Sequence, residues 1–170
     1  RQMCIRDRIE NGVLQAGFYA YKSHRVVPCA DCLLQCPEFK NGLDAFAVWV
    51  KENNITAYDE QTGTGLLRHI YFRKGVGTGE VLACAVIHGD TLPNSARLCA
   101  LLRERMPALV GVVCNINKEN TNVILGTQTK TLWGRAEIKD TLLGKTFTIA
   151  PAAFYQVNHD QCEKLYALAG

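Results

Sequence analysis

The sequence predicts an α/β fold, an α+β layer in which a mixed sheet carries its helices on one side. Two observations carry this. After a cysteine-rich loop the apolar pattern runs helix, two strands, helix, two strands, a succession that builds a layered sheet. Within it, Leu109 to Ile116 is an apolar, β-branched run of the kind a buried strand carries. With 170 residues, 48% of them hydrophobic and 21% charged, the chain can bury a real core.

Taken in order, Val13 to Lys22 mixes apolar and aromatic residues as a strand does. Val26-Val27 continues as a second short strand, with a hairpin around Ser23-His24. A compact loop bounded by Pro28 and Pro37 follows. From about Glu38 to Asn53, Phe39, Leu43, Phe46, Ala47 and Val50 recur at helical spacing, with Trp49 beside that stripe. Leu66 to Arg73 and Glu80 to His88 read as two strands of an antiparallel hairpin, joined by the glycine turn Gly75-Val-Gly-Thr-Gly79. Thr91-Leu92-Pro93 opens a helix whose apolar face is Leu98, Leu101 and Leu102, and Pro107 bounds its end. After the buried strand, Thr121 to Thr127 reads as its returning neighbour. Thr131 to Ile149 gives short strand-like pieces around Gly134 and Gly144, with a domain boundary near Gly144. Asn158 caps a final helix, with Gln161 three residues on, as in a capping box. Cys162, Leu165, Tyr166 and Ala169 share one face of that helix. Residues 1–8 resemble the translation of a transposon sequencing adapter and are set aside from this reading.

Composition narrows the functional classes. No apolar run has the length of a membrane span, and residues 1–8 lack the apolar core of a secretory leader. The net charge of +3 permits a nucleic-acid partner without arguing for one. Eight cysteines stand at 4, 29, 32, 36, 84, 99, 114 and 162. With no leader and apolar residues enough for a core, a reduced, cytoplasmic compartment fits better than a disulfide framework. Cys84, Cys99 and Cys114 fall within apolar patterns and are expected to act as small core hydrophobes.

Four constellations could carry chemistry. Cys29-x2-Cys32-x3-Cys36 brings three thiols close enough to bind zinc or iron, but a closed site needs four ligands. Unpaired loop thiols are the other reading. Gly75-Val-Gly-Thr-Gly79 follows a strand but precedes another, whereas a phosphate loop needs a helix N-terminus behind it. Arg68-His69 reads as a solvent-facing pair or a satisfied histidine, and Lys118, Lys130, Arg135 and Lys139 as surface charges. Phe154-Tyr155-Gln156-Val157-Asn158 leads into a helix and could line a small-molecule pocket. Equally, Phe154 and Tyr155 could be core and Gln156 a turn residue.

A colinear set of segments resembles the bacterial 23S rRNA (uracil-5-)-methyltransferases. It comprises Gly17-Phe18-Tyr19 with Ser23-His24 and Val26-Val27, Asp31-Cys32-Leu33-Leu34, Gly65-Leu66-Leu67-Arg68-His69-Ile70, Thr78-Gly79-Glu80-Val81, Asn115-Ile116-Asn117 with Thr121-Asn122-Val123, Leu132-Trp133-Gly134, Phe147-Thr148-Ile149 and Phe154-Tyr155-Gln156-Val157-Asn158. The resemblance implies an S-adenosyl-L-methionine (SAM)-dependent RNA methyltransferase with a 4Fe-4S cluster, acting on 23S rRNA through a covalent cysteine adduct. It implies a central α/β domain over residues 9–143 and, from residue 144 to 170, the start of a Rossmann-like SAM domain. It assigns Gln156 to the methyl donor and Cys32 to the cluster, whose other three ligands are expected upstream. The nucleophile and general base are expected downstream, so that these 170 residues carry no catalytic residue and are inactive alone. A monomer, with no membrane partner, is expected. Two alternatives are a tRNA uracil-C5 methyltransferase and a non-enzymatic, metal-binding RNA-interaction module built on Cys29, Cys32 and Cys36.

Overall fold

The computed structural model describes residues 2–10, 13–21, 26–29, 35–121, 123–156 and 158–169. Its strands are β1 (Gln2–Glu10), β2 (Val13–Tyr19), β3 (Val26–Pro28), β4 (Leu67–Lys74), β5 (Val81–Ile87), β6 (Leu109–Ile116), β7 (Gln128–Gly134), β8 (Ile138–Leu142) and β9 (Lys145–Ile149). The helices are α1 (Glu38–Glu52), α2 (Ser95–Arg105) and α3 (His159–Ala169). Seven strands form one sheet in the order β3-β2-β1-β4-β5-β6-β7, and β8-β9 form a separate hairpin. Only β5 and β6 pair in parallel, across α2, so the sheet is mixed as predicted. Residues 2–10, most of them left out of the fold reading, form the strand between β2 and β4.

The sheet is covered on both faces. On one, α1 and α2 press Phe39, Phe46, Trp49, Leu98 and Leu102 onto Ile70, Phe72, Ala83, Ala85 and Val112. Phe39 stacks on Phe72 at 5.3 Å and Phe46 meets it edge-on at 6.0 Å. Each such fully buried side chain contributes about 1.5–3 kcal/mol. Trp49, expected only beside the stripe, is completely buried, and its indole N–H donates to Pro93 O at 3.1 Å. That bond ties α1 to the residues before α2. The helix itself begins at Ser95, later than the Thr91-Leu92-Pro93 expected to open it. On the other face Tyr71, Leu82, Cys84, Val86 and Val113 pack against Ile138 and Ile149 of the small hairpin. Burial on both sides explains the unbroken apolar run of β5.

The glycine turn between β4 and β5 is present, closed by Gly75 N to Glu80 O at 2.9 Å. Its glycines serve close packing. A Cβ on Gly75 would stand 2.4 Å from Lys139 O, and one on Gly77 would stand 2.0 Å from Thr141 Oγ1. The turn therefore lies directly on β8. The β8–β9 connection is Leu143-Gly144, both at positive φ (48° and 72°), the twist-matched two-residue hairpin turn.

One strand expectation fails, and so does the solvent-facing reading of Arg68-His69. Residues 121 and 123–127 are irregular rather than a strand, and the partner of β6 is β7, further on. The carbonyls of this loop accept from side chains: Asn117 Nδ2 donates to Val123 O (2.8 Å) and Ile124 O (3.1 Å), and Asn115 Nδ2 to Gly126 O (3.0 Å). Arg68 and His69 are buried rather than solvent-facing, at 5% and 3% exposure. A register shift between Leu67 and His69 breaks the simple alternation there. Arg68 turns into the loop after β6, donating to Asn117 O, Glu119 O and Thr121 O at 3.0, 2.7 and 3.2 Å.

Cys84, Cys99 and Cys114 are buried, as expected of core hydrophobes. Burial raises the Cys99 thiol and pushes Cys114 up to about 11, away from the thiolate. The three are expected to resist iodoacetamide in the native protein at pH 8 and to react after unfolding in urea, as read by peptide mass spectrometry. Native alkylation of Cys114 at the rate of a free thiol would contradict this burial.

Candidate functional site

The segment from Ala150 to Asn158 joins β9 to α3, and it is held from below by β4. Arg73, 4% exposed, donates through Nη1 to Ala150 O (2.7 Å) and through Nη2 to Ala153 O (2.8 Å). The Tyr71 hydroxyl donates to Pro151 O at 3.2 Å. Ala153 N returns to Ala150 O at 3.1 Å, closing a tight turn. Tyr71 and Arg73 are alternate residues of one strand, so both side chains leave the same sheet face.

Asp140 on β8 supplies the next support. It is fully buried, and its Oδ1 accepts from Gly77 N (2.7 Å) and Thr141 N (2.9 Å). Its Oδ2 and the Tyr155 hydroxyl are both buried and have no hydrogen-bond partner among the described residues. Burial, then the neighbouring Asp140 charge, push the Tyr155 phenol up to about 12. The phenol therefore stays protonated beside the carboxylate. Tyr155 also lies 6.4 Å from the Phe147 ring.

What this support presents is polar and open. Gln156 is exposed, and Phe154 is 87% exposed, so Phe154 is not a core residue. Tyr155 is half-buried against the second core. Asn158 caps α3 as predicted, its Oδ1 accepting from Gln161 N at 3.2 Å. His159 Nε2 reaches Thr141 O at 2.9 Å, and Leu143 N donates to Glu163 Oε1 at 3.3 Å, so α3 docks on the β8–β9 hairpin. Of its expected apolar face only Cys162 is buried; Leu165 and Tyr166 are 62% and 49% exposed. An exposed amide and an exposed aromatic thus stand ahead of a capped helix. His159 Nδ1 also stands 3.8 Å from Asp160 Oδ1 at the start of the helix.

The other constellations separate clearly. Cys29 is half-buried, Cys36 is buried before α1, and Cys32 lies outside the described residues. No group of three or more His, Cys, Asp or Glu able to hold a metal occurs among the described residues. The donor set at hand does not by itself fit a cluster. Lys118, Lys130, Arg135 and Lys139 are exposed as expected. Lys118 pairs with Asp90 at 2.5 Å and Arg135 with Glu80 at 2.7 Å. Among the described residues, no helix is long and apolar enough to cross a membrane. Arg73, Tyr71 and Asp140 were not singled out in the sequence. The one available signal was Arg73, following the bulky run Ile70-Tyr71-Phe72 in the strand.

No family model matches the chain. It is 38% identical over 150 residues to an uncharacterized RNA methyltransferase of Caldanaerobacter subterraneus subsp. tengcongensis, covering 88% of this chain and 33% of that protein. It is 37% identical over 153 residues to one of Staphylococcus epidermidis, covering 90% and 34%. The chain is similar to bacterial RNA methyltransferases along almost all of its length. It spans about a third of theirs. A crystal structure of Pyrococcus abyssi tRNA (uracil-54, C5)-methyltransferase in complex with S-adenosyl-L-homocysteine matches 99% of this chain and 39% of that one. The TM-score is 0.78 at 18% identity, a likeness of fold. It agrees with the mixed α/β architecture predicted from the sequence.

Proposed function

We propose that this chain is a segment of a SAM-dependent RNA methyltransferase that modifies C5 of uridine, with 23S rRNA as its target. The observation carrying this reading is the 34–38% identity to RNA methyltransferases across 88–97% of the chain. The fold shared with a tRNA uracil-C5 methyltransferase supports the position of the methylated atom. Residues 9–143 act as the central domain that holds folded RNA by shape and backbone contacts. Residues 144–170 begin the donor-binding domain, in which Gln156 contacts SAM. Cys32 is the cluster ligand that the sequence resemblance assigns, and no step of the reaction depends on it here. The protein works in the cytoplasm.

The chemistry requires a thiolate adding to C6 of the uridine, methyl transfer from SAM to C5, and removal of the C5 proton with loss of the cysteine. The target base has to leave its stack to be reached. The groups that do this belong to the two thirds of the relatives' length that this chain does not span. The contribution of these residues is to hold the donor and the RNA.

Methyl transfer from labelled SAM by the full-length protein tests this reading, with 23S rRNA and tRNA transcripts offered separately. 5-Methyluridine is expected in 23S rRNA. Its appearance in tRNA alone would transfer the target to tRNA, and its absence from both would overturn the uridine reading. Gln156→Ala is expected to weaken S-adenosyl-L-homocysteine binding about tenfold, the loss of one good polar contact of about 1.4 kcal/mol. The 170-residue chain alone is expected to transfer no methyl group.

A further inference from the structure

We propose that Tyr71 and Arg73 are positioning residues for methyl-donor binding, acting through the backbone turn that carries Gln156. The inference rests on Gln156 being the donor contact. Neither side chain needs to touch the donor.

The geometry is unusual for a connecting loop. Loops ordinarily run over the surface with their carbonyls in water. Here three consecutive donors, Tyr71 Oη and both terminal nitrogens of Arg73, take the carbonyls of Pro151, Ala150 and Ala153. All three come from β4, a strand buried between two layers and paired on both sides. Pro151 is itself buried. The segment is thereby fixed to a buried central strand of the sheet three residues before the exposed Gln156. Charge-assisted bonds from a planar guanidinium fix direction as well as distance. Orientation of a binding amide is worth most when it is set before the ligand arrives, because the ordering cost is then not met by binding. A turn held only by its own Ala153-to-Ala150 bond would sample other orientations of Gln156.

Two conservative variants separate positioning from folding. Tyr71→Phe keeps the buried ring and removes one bond; Arg73→Lys keeps the charge and cannot span both carbonyls. In the 170-residue chain, amide exchange at Ala153, whose N–H closes the turn on Ala150 O, is expected to accelerate about threefold to tenfold for Tyr71→Phe, the worth of one neutral hydrogen bond. For Arg73→Lys about tenfold or more is expected, with β5 and β6 unchanged. In the full-length protein the affinity for S-adenosyl-L-homocysteine is expected to fall in the same order, while RNA affinity holds. Unchanged exchange at Ala153 in both variants would overturn the inference. So would unchanged donor affinity in both when Gln156→Ala lowers it. If Gln156→Ala has no effect on donor affinity, the donor assignment itself fails and this inference falls with it.

Discussion

Replacing Arg68 with methionine is expected to destabilise the fold by about 3 kcal/mol, an effect drawn from three lost hydrogen bonds to a charged donor. Methionine matches the length of the stem and keeps the apolar packing, so the loss isolates the guanidinium. Arg68 is 5% exposed and serves the carbonyls of Asn117, Glu119 and Thr121. Its guanidinium also lies 4.4 Å over the Tyr58 ring, which in turn meets His88 at 4.6 Å. Two of the three carbonyls are only partly buried, and water recovers some of their bonding. That recovery keeps the cost at about 3 kcal/mol rather than the larger sum of three charged bonds. Arg68→Lys is expected to rescue less than half, because an ammonium reaches one carbonyl well and stacks poorly on tyrosine. Urea denaturation gives the stability, and amide exchange should show residues 117–127 opening first. A loss below about 1 kcal/mol for Arg68→Met would mean that the loop is held by Asn115 and Asn117 alone.

The same loop shows where sequence reading stops. Val123-Ile124-Leu125 has the composition of a strand, and composition was all the sequence offered there. Strand formation depends on which donors meet its carbonyls, and Asn115 and Asn117 are already within reach. Asparagine side chains compete with ladder hydrogen bonds in this way, and no periodicity records the outcome. Helix α1, by contrast, was legible because burial of one face imposes a 3.6-residue repeat over its whole length. The β4–β5 hairpin was legible because its turn needs glycine. The reason for the glycine was only half visible: Gly75 and Gly77 also lie against β8, 61 or more residues away. Gln156 was found through its neighbours in sequence. Its supports were not, since Tyr71 and Arg73 act across 77 to 80 residues through single side-chain-to-backbone bonds.

Asp140→Ala is expected to cost about 3 kcal/mol and to disconnect three parts of the molecule at once. The carboxylate accepts from Gly77 in the β4–β5 turn, from Thr141 in its own strand, and faces the Tyr155 phenol beside Gln156. Alanine leaves those donors in a site with no water-accessible replacement at Asp140 itself, which is 0% exposed. An unmet buried donor costs about 1–3 kcal/mol, and the Thr141 and Gly77 amides are partly buried, so the lower part of that range applies to each. For a chain of this length the melting temperature should fall by roughly 6–12 °C. Asp140→Asn keeps the Oδ1 acceptor for Gly77 and Thr141, and its amide can donate to the Tyr155 hydroxyl. It is expected to lose about 1 kcal/mol, the charge-assisted part of the bonds. The ordering of the two variants is the decisive measurement. If asparagine proves as damaging as alanine, the negative charge rather than the hydrogen-bond geometry holds the hairpin, and the turn, the hairpin and the Tyr155 segment are joined by electrostatics. If alanine is tolerated, the β8–β9 hairpin is kept in place by Ile138 and Ile149 against the sheet, and the donor segment depends on β4 alone.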